Sequence, residues 1–291
     1  MHRPTQSYSS KLSLWRRFAD LGATGFAFGS AVLVLVPLLA IFIYLLIKGM
    51  GALNWAFLTQ TPKPVGEPGG GMANAIVGSG LVLAIASVIG IPLGIGCGIY
   101  LAEYGRNRFG DFVRFTADVL NGVPSIVIGI VAYTLVVLRQ KHFSAYSGGL
   151  ALAIMMVPTV ARATEEMLLM VPNSIREAAL GLGIPKWRTT LSITLRTASA
   201  GVITGCMLAF ARVAGETAPL LFTAFGNQNW NLNPNQATAA LPLQIFSYAI
   251  SPFEDQHRQA WAGALILIIM IVAAVAAVRI VTSRGMLKGA S

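Results

Sequence analysis

The chain has 291 residues, 55% of them hydrophobic and only 11% charged, with a formal net charge of +10. Its apolar residues arrive in runs of about 20 or more, which excludes an ordinary soluble domain and indicates an all-α, polytopic membrane protein. The positive balance does not argue for nucleic acid, because the lysines and arginines gather between the runs instead of along an amphipathic face.

The first run, Leu21 to Ile47, follows Arg16 and Arg17 as a signal peptide would, but its length and lack of a small-residue cleavage pattern make it a retained span. Pro62 to Gly71 reads as an irregular loop. Further spans are expected over Ala73 to Ala102, Phe112 to Leu138, Gly148 to Val171, Thr197 to Phe225 and Ala260 to Val281, six in all. At about 1.5 Å per residue, each can cross a hydrocarbon core of about 30 Å. An even count puts both termini on one side. If that side is the cytoplasm, its segments hold fourteen of the 21 lysines and arginines and the opposite side five, with Arg162 and Arg212 inside spans. The positive-inside bias favours this orientation.

Smaller features follow the spans. Cys97 and Cys206 both fall in apolar runs and read as small packed residues, not a disulfide or metal pair. Gly25/Gly29, Gly90/Gly94 and Gly201/Gly205 have the four-residue spacing that permits close helix packing in lipid. Pro124 should kink the third span and free the carbonyl of Leu120, with Asn121 and Ser125 nearby, either lining a pathway or satisfying a kink. Asparagines at 227, 229, 231, 233 and 235 suggest an exposed, turn-rich loop. Leu241 to Ile250 is amphipathic enough to lie at the membrane surface.

Between the fourth and fifth spans stands Ser174-Ile-Arg-Glu-Ala-Ala-Leu-Gly-Leu-Gly-Ile-Pro185. Ser174 and Glu177 fit a capping box, Gly183 a helix stop, and Pro185 the first turn of a second helix, so the segment reads as helix, turn, helix. Ala178, Ala179 and Leu182 share one small apolar face suited to a groove in another protein. Glu177-Ala178-Ala179, then Gly183, then Ile193-x-Leu195 resembles the EAA signature of membrane subunits of binding-protein-dependent ABC importers, with Arg196 where that pattern has proline. The resemblance implies that this loop, 171–196, is the element seated in a cytoplasmic ATPase.

The fifth span carries Arg212-Val-Ala-Gly-Glu-Thr-Ala-Pro-Leu-Leu221. On one continuous helix Arg212 and Glu216 would share a face, and an arginine near mid-membrane costs about 2.5 to 3.5 kcal/mol unless it has a partner or a cavity. Two readings stand here. The pair fixes helix packing, or it borders an anion path in which the arginine fork suits a tetrahedral oxyanion and Thr217 adds a hydroxyl. Arg162, Glu165 and Glu166 are expected near an interface, in a solvated or loop-coupling role. No cluster of nucleophiles or metal ligands appears, and His2, His142 and His257 are scattered outside the spans, so neither an enzyme nor a metal site is indicated. A proton-coupled secondary transporter using Glu216 is the competing transport class.

The run from Arg212, with Gly122-Val-Pro-Ser-Ile-Val127 and Leu241-Pro-Leu-Gln-Ile245, is similar to the PstA-type membrane subunits of phosphate ABC importers over roughly Met72 to Arg279. That resemblance implies the type I importer permease architecture, in the bacterial cytoplasmic (inner) membrane. It implies a tail, first helix and outer loop over 1–71, a transport core over 72–282 and a tail over 283–291. It also implies inorganic phosphate as substrate, with sulfate or molybdate as the alternatives. The partners would be a second, PstC-type permease subunit, two ATPase subunits that bind ATP and Mg, and a periplasmic phosphate-binding protein. The chain itself has no G-x-x-x-x-G-K-[ST] motif, so no ATP hydrolysis and no cofactor is expected of it.

Overall fold

The computed structural model describes residues 14–64, 67 and 69–288; the tail ends expected at 1–13 and 289–291 lie outside the described residues. These residues form helices joined by loops, with one isolated β-bridge between Phe225 and Thr238. The chain divides into two units, residues 1–47 and 48–291. The first is the greater part of α1 (Leu14–Ala52), an apolar helix with Pro37 inside it. Within this unit nothing lies within 4 Å of a Cβ built on Gly25 or Gly29.

The second unit begins with the short α2 (Trp55–Thr59), whose start is fixed by Asn54 accepting the Phe57 N–H at 2.7 Å. Then come α3 (Ala73–Glu103), α4 (Arg108–Gly122), α5 (Ser125–Gln140) and α6 (Ala145–Leu169). Asn107 caps α4 through the Gly110 N–H at 2.8 Å, and a Ser144/Ser147 capping box starts α6. Next are α7 (Asn173–Gly181), α8 (Lys186–Ala214), α9 (Ala218–Thr223), α10 (Leu241–Ala249) and α11 (Glu254–Lys288). Helices α1, α3, α6, α8 and α11 are each long and apolar enough to span a membrane, and α4 with α5 makes a sixth if that bent pair is one span.

Three departures from the sequence reading matter. The third span is no kinked rod: α4 and α5 meet at 106°. Pro124 does not orphan Leu120, whose carbonyl accepts the Val123 N–H at 3.3 Å as α4 closes. The fifth span starts at Lys186, eleven residues before the expected Thr197, passes through a π-turn at Thr190–Thr194 and continues unbroken past Arg196. Finally, α10 is tied into the helix core at its start, while Phe246 and Ile250 farther along stay exposed. Leu241, Pro242 and Leu243 are buried, and the Leu241 N–H donates to Ser79 Oγ at 2.6 Å.

The centre of the unit is the α3–α6 pair. A Cβ added at Gly94 would meet Val160 Cβ at 2.6 Å, and one at Gly98 would meet Thr164 Cβ at 2.5 Å, so the two backbones touch where the glycines fall every four residues. Gly90 faces Met156 in the same row. Gly201 and Gly205 play the same part on α8, against Met167 and Ala163. Val82, Ala86, Leu152, Met156, Val160, Ala209, Val213 and Leu220 complete this core.

The asparagine run is an ordered loop. Asn227, Asn231 and Asn233 each accept, through the side-chain oxygen, the backbone N–H two residues on, at 2.8 to 3.0 Å. Asn227 and Asn231 both donate to the Ala237 carbonyl at 3.2 Å.

Candidate functional site

The two broken spans meet. Helix α5 packs along α9, and a Cβ at Gly129 would lie 2.7 Å from Pro219 Cα, so glycine is what lets the two backbones approach. Farther along, Tyr133 lies near Phe143, which stacks on Phe225 at 4.5 Å between ring centroids. Gly129 thus lies beside Pro219; Ser125, the first residue of α5, follows the Val123–Pro124 bend, and Ala218, the first of α9, follows the Gly215–Thr217 break.

The second break changes the arginine–glutamate reading. Helix α8 ends at Ala214, the Gly215 N–H reaches back to Arg212 at 3.4 Å, and the Glu216 N–H to Val213 at 3.1 Å. Pro219, lacking an N–H, suits the first turn of α9 and cannot continue α8. Arg212 and Glu216 therefore do not share a continuous helix face. Among the described residues no ion pair joins them. With the earlier start of α8, Arg212 lies about 39 Å along the helix from Lys186 at 1.5 Å per residue. Arg212 is exposed, at the end of an uncovered stripe on α8 made by Thr197, Ala200, Thr204 and Leu208. Glu216, Thr217 and Ser125 are half-buried around the breaks. Asn121, also half-buried, accepts the Thr159 hydroxyl at 3.0 Å, which ties the end of α4 to α6.

Sequence reasoning missed a second group of charges. Glu165 is not at a solvated interface: it is 3% exposed and accepts Arg114 Nε at 2.6 Å and Arg162 Nη1 at 2.9 Å. Arg162 also grips Asp118 with Nε at 2.9 Å and Nη2 at 3.2 Å, while Arg114 donates to Asp111 and to the carbonyls of Leu101 and Gly105. The signal was present in the sequence as Asp111, Arg114 and Asp118, spaced three and four apart on α4, but their partners lie some fifty residues away on α6.

The segment from Asn173 to Pro185 is helix, turn, helix, with a different start from the one expected. Pro172 stands at the N-cap, and no side chain caps the helix, so the Ser174/Glu177 capping box does not form. The fixed proline φ of −57° at Pro172 starts α7 two residues too early for Ser174 to act as a cap. Its end is a Schellman turn. Gly183, at φ +79°, donates to Leu180 at 2.9 Å, and the Ile184 N–H donates to Ala179 at 3.2 Å. Ala179 points inward and is buried, so it does not belong to the outward face. That face carries Ser174, Ala178 and Leu182 four residues apart, with Leu182 81% exposed, and beside it Leu180 and Trp187 are also uncovered. Glu177 is exposed. Ile193 and Leu195 fall inside α8, half-buried, where Leu195 packs against the cluster that contains Leu168 and Val171.

Comparison with known proteins follows these features. Residues 90–285 match the family model for the binding-protein-dependent transport system inner membrane component. A phosphate transport system permease protein PstA of Yersinia pestis is 45% identical over 262 residues, covering 90% of this chain and 89% of the relative. One from Haemophilus influenzae is 43% identical, covering 88% and 91%, and PstA 1 of Mycobacterium tuberculosis is 36% identical, covering 94% and 92%. Among solved structures, an inward-facing conformation of the MetNI methionine ABC transporter superposes with a TM-score of 0.56 at 14% identity, covering 76% of this chain and 97% of that one.

Proposed function

The chain belongs to the binding-protein-dependent transport system inner membrane components, and from that premise we propose that it is a membrane-spanning permease subunit of an ATP-driven importer of inorganic phosphate. The observation that carries the reading is the 45% identity to a phosphate-system permease over nine-tenths of the chain. The geometry supplies the two parts such a subunit needs. A rigid helix pair, α7 with the start of α8, presents Leu182 and Trp187 outward as apolar knobs for an ATPase subunit. At the far end of α8, Arg212 stands on a face that its own chain leaves uncovered. Across that face a second permease subunit would close a path.

In this reading both termini and the α7 segment lie in the cytoplasm of a bacterium, and the Asn227–Asn235 loop faces a periplasmic phosphate-binding protein. ATP and Mg bind to two partner ATPase subunits. Drawing those subunits together moves the two α7 segments and switches the path between inward-open and outward-open forms. Arg212 offers a planar fork to the oxyanion, and among the described residues no carboxylate is ion-paired with it. Glu216 and Thr217, four and five residues on and on the irregular backbone between α8 and α9, would act on the oxyanion as the path opens, a role that backbone at such a break permits.

The test is labelled phosphate uptake in cells lacking their own high-affinity system, with the partner subunits co-expressed and sulfate as competitor. Saturable, ATP-dependent uptake that sulfate does not block, and that Arg212→Gln abolishes in a normally assembled complex, is the expected result. Uptake that survives nucleotide depletion, or an assembled complex that carries sulfate and not phosphate, would sink it.

A further inference from the structure

We infer that Arg176 is the positioning residue that links the ATPase-facing helix to the membrane core, and that Glu103 is its anchor; this rests on the function proposed above. One guanidinium binds three elements together. Arg176 Nε donates to the Glu103 carboxylate at 2.9 Å, Nη2 to the Leu168 carbonyl at 2.6 Å and Nη1 to the Val171 carbonyl at 2.5 Å. The pair is well covered, with the side chains 16% and 8% exposed. From the next helix, Lys186 Nζ donates to the Glu103 carbonyl at 2.7 Å and sits 4.3 Å over the Tyr104 ring. Glu103 is thus held twice, by its carboxylate from α7 and by its backbone from α8.

The chemistry explains the choice of residues. A helix ends with carbonyls that lack intrahelical partners and with the negative end of its dipole, so cations are favoured there. Helices α3 and α6 end side by side, and Arg176 supplies donors to both ends at once. A lysine could not, since it presents a point charge and not a five-donor fork. Among the described residues, the hydrogen bonds that side chains of the Asn173–Lys186 segment donate outside it come from Arg176 and Lys186, and they fall on the end of α3, the end of α6 and Val171 just beyond it. Because those two helices are in glycine contact, a displacement of α7 reaches them as a pair. Arg114, donating to Leu101 and Gly105, brings α4 to the same place.

The experiment uses the complete complex in proteoliposomes, with the binding protein enclosed on its own side. It compares wild type with Glu103→Gln, Arg176→Gln and Arg176→Lys. The readouts are phosphate moved per ATP hydrolysed, stimulation of hydrolysis by loaded binding protein, basal hydrolysis and subunit stoichiometry. A linking role predicts intact stoichiometry and basal hydrolysis within about twofold of wild type, with phosphate per ATP and stimulation both reduced at least tenfold in Arg176→Gln. Glu103→Gln, which keeps an acceptor oxygen and loses the charge, should fall between, as should Arg176→Lys. Variants that keep the wild-type ratio overturn the inference. Variants that shed the ATPase subunits also overturn it, since the pair would then be a docking support alone. If the wild-type complex hydrolyses ATP on stimulation yet moves no phosphate, the proposed substrate fails while the loss of stimulation in the variants still reads the link.

Discussion

Replacing Glu165 by alanine tests the buried charge cluster between α4 and α6. The carboxylate, 3% exposed, accepts two guanidinium bonds at 2.6 and 2.9 Å, and a hydrogen bond to a charged group contributes about 1.5 to 3 kcal/mol. Losing both would cost about 3 to 6 kcal/mol by that rule. Neither arginine is stranded, however. Arg114 keeps Asp111 and the carbonyls of Leu101 and Gly105, and Arg162 keeps both oxygens of Asp118. The expected loss therefore sits at the lower end, about 3 kcal/mol. Reversible unfolding in mixed detergent and dodecyl sulfate micelles, followed by tryptophan fluorescence, measures it. The control is Asp255→Ala, which removes an exposed pair 4.0 Å apart with side chains 62% and 66% exposed, and should stay within about 0.5 kcal/mol. If Glu165→Ala cost no more than the control, the cluster would be no tighter than a surface ion pair and the account of α4 as a fastened helix would be wrong.

Three further outcomes follow from close contacts and turns. Gly98→Val should cost at least 1 to 3 kcal/mol by overpacking against Thr164 and the Ala161 carbonyl, whereas Gly96→Ala, with nothing within 4 Å, should be neutral or stabilising by up to about 1 kcal/mol; the same micelle titration ranks them. Gly183→Ala places a side chain at φ +79° and should cost about 1 to 2 kcal/mol locally. It is read as faster hydrogen exchange at Ile184 and weaker co-purification of the ATPase subunits, and unchanged exchange would refute the Schellman assignment. Asn231→Ala removes one of two amides on the Ala237 carbonyl and the acceptor for the Asn233 N–H; exchange protection at Asn233 should fall about fivefold to tenfold, for a bond of about 1 kcal/mol.

Much of the fold was legible because membrane spans announce themselves by length and hydropathy alone. The limits of the second span lie within one residue of those of α3, the sixth falls inside the longer α11, and the four-residue glycine spacing found α3's seam with α6. What failed has a common physical origin. A run such as Phe112 to Leu138 is apolar enough to cross a membrane whether it is straight or folded at Val123–Pro124, and proline marks a break without giving its angle. The Arg212–Glu216 pairing assumed helical spacing through Gly215, the very residue at which the helix ends. Ser174 looked like a cap because serine usually is one, yet Pro172 had already started the helix. The partners of Glu165 and Arg176 were out of reach for a different reason. Each lies on another helix, fixed by packing that no local pattern encodes.

The asparagine loop carries a consequence for whatever lands on that side of the molecule. Its shape is held by side chains bonding their own backbone two residues on, and by two amides converging on one carbonyl, so little of it depends on a partner for order. Ordering a slack segment at the moment of association costs about 1 to 2 kcal/mol per residue in backbone entropy. Here that cost has been met during folding. A visitor would encounter a preorganised surface, and its affinity would reflect contacts made and little disorder lost. Such a surface suits an encounter that must form and dissolve once in every transport cycle.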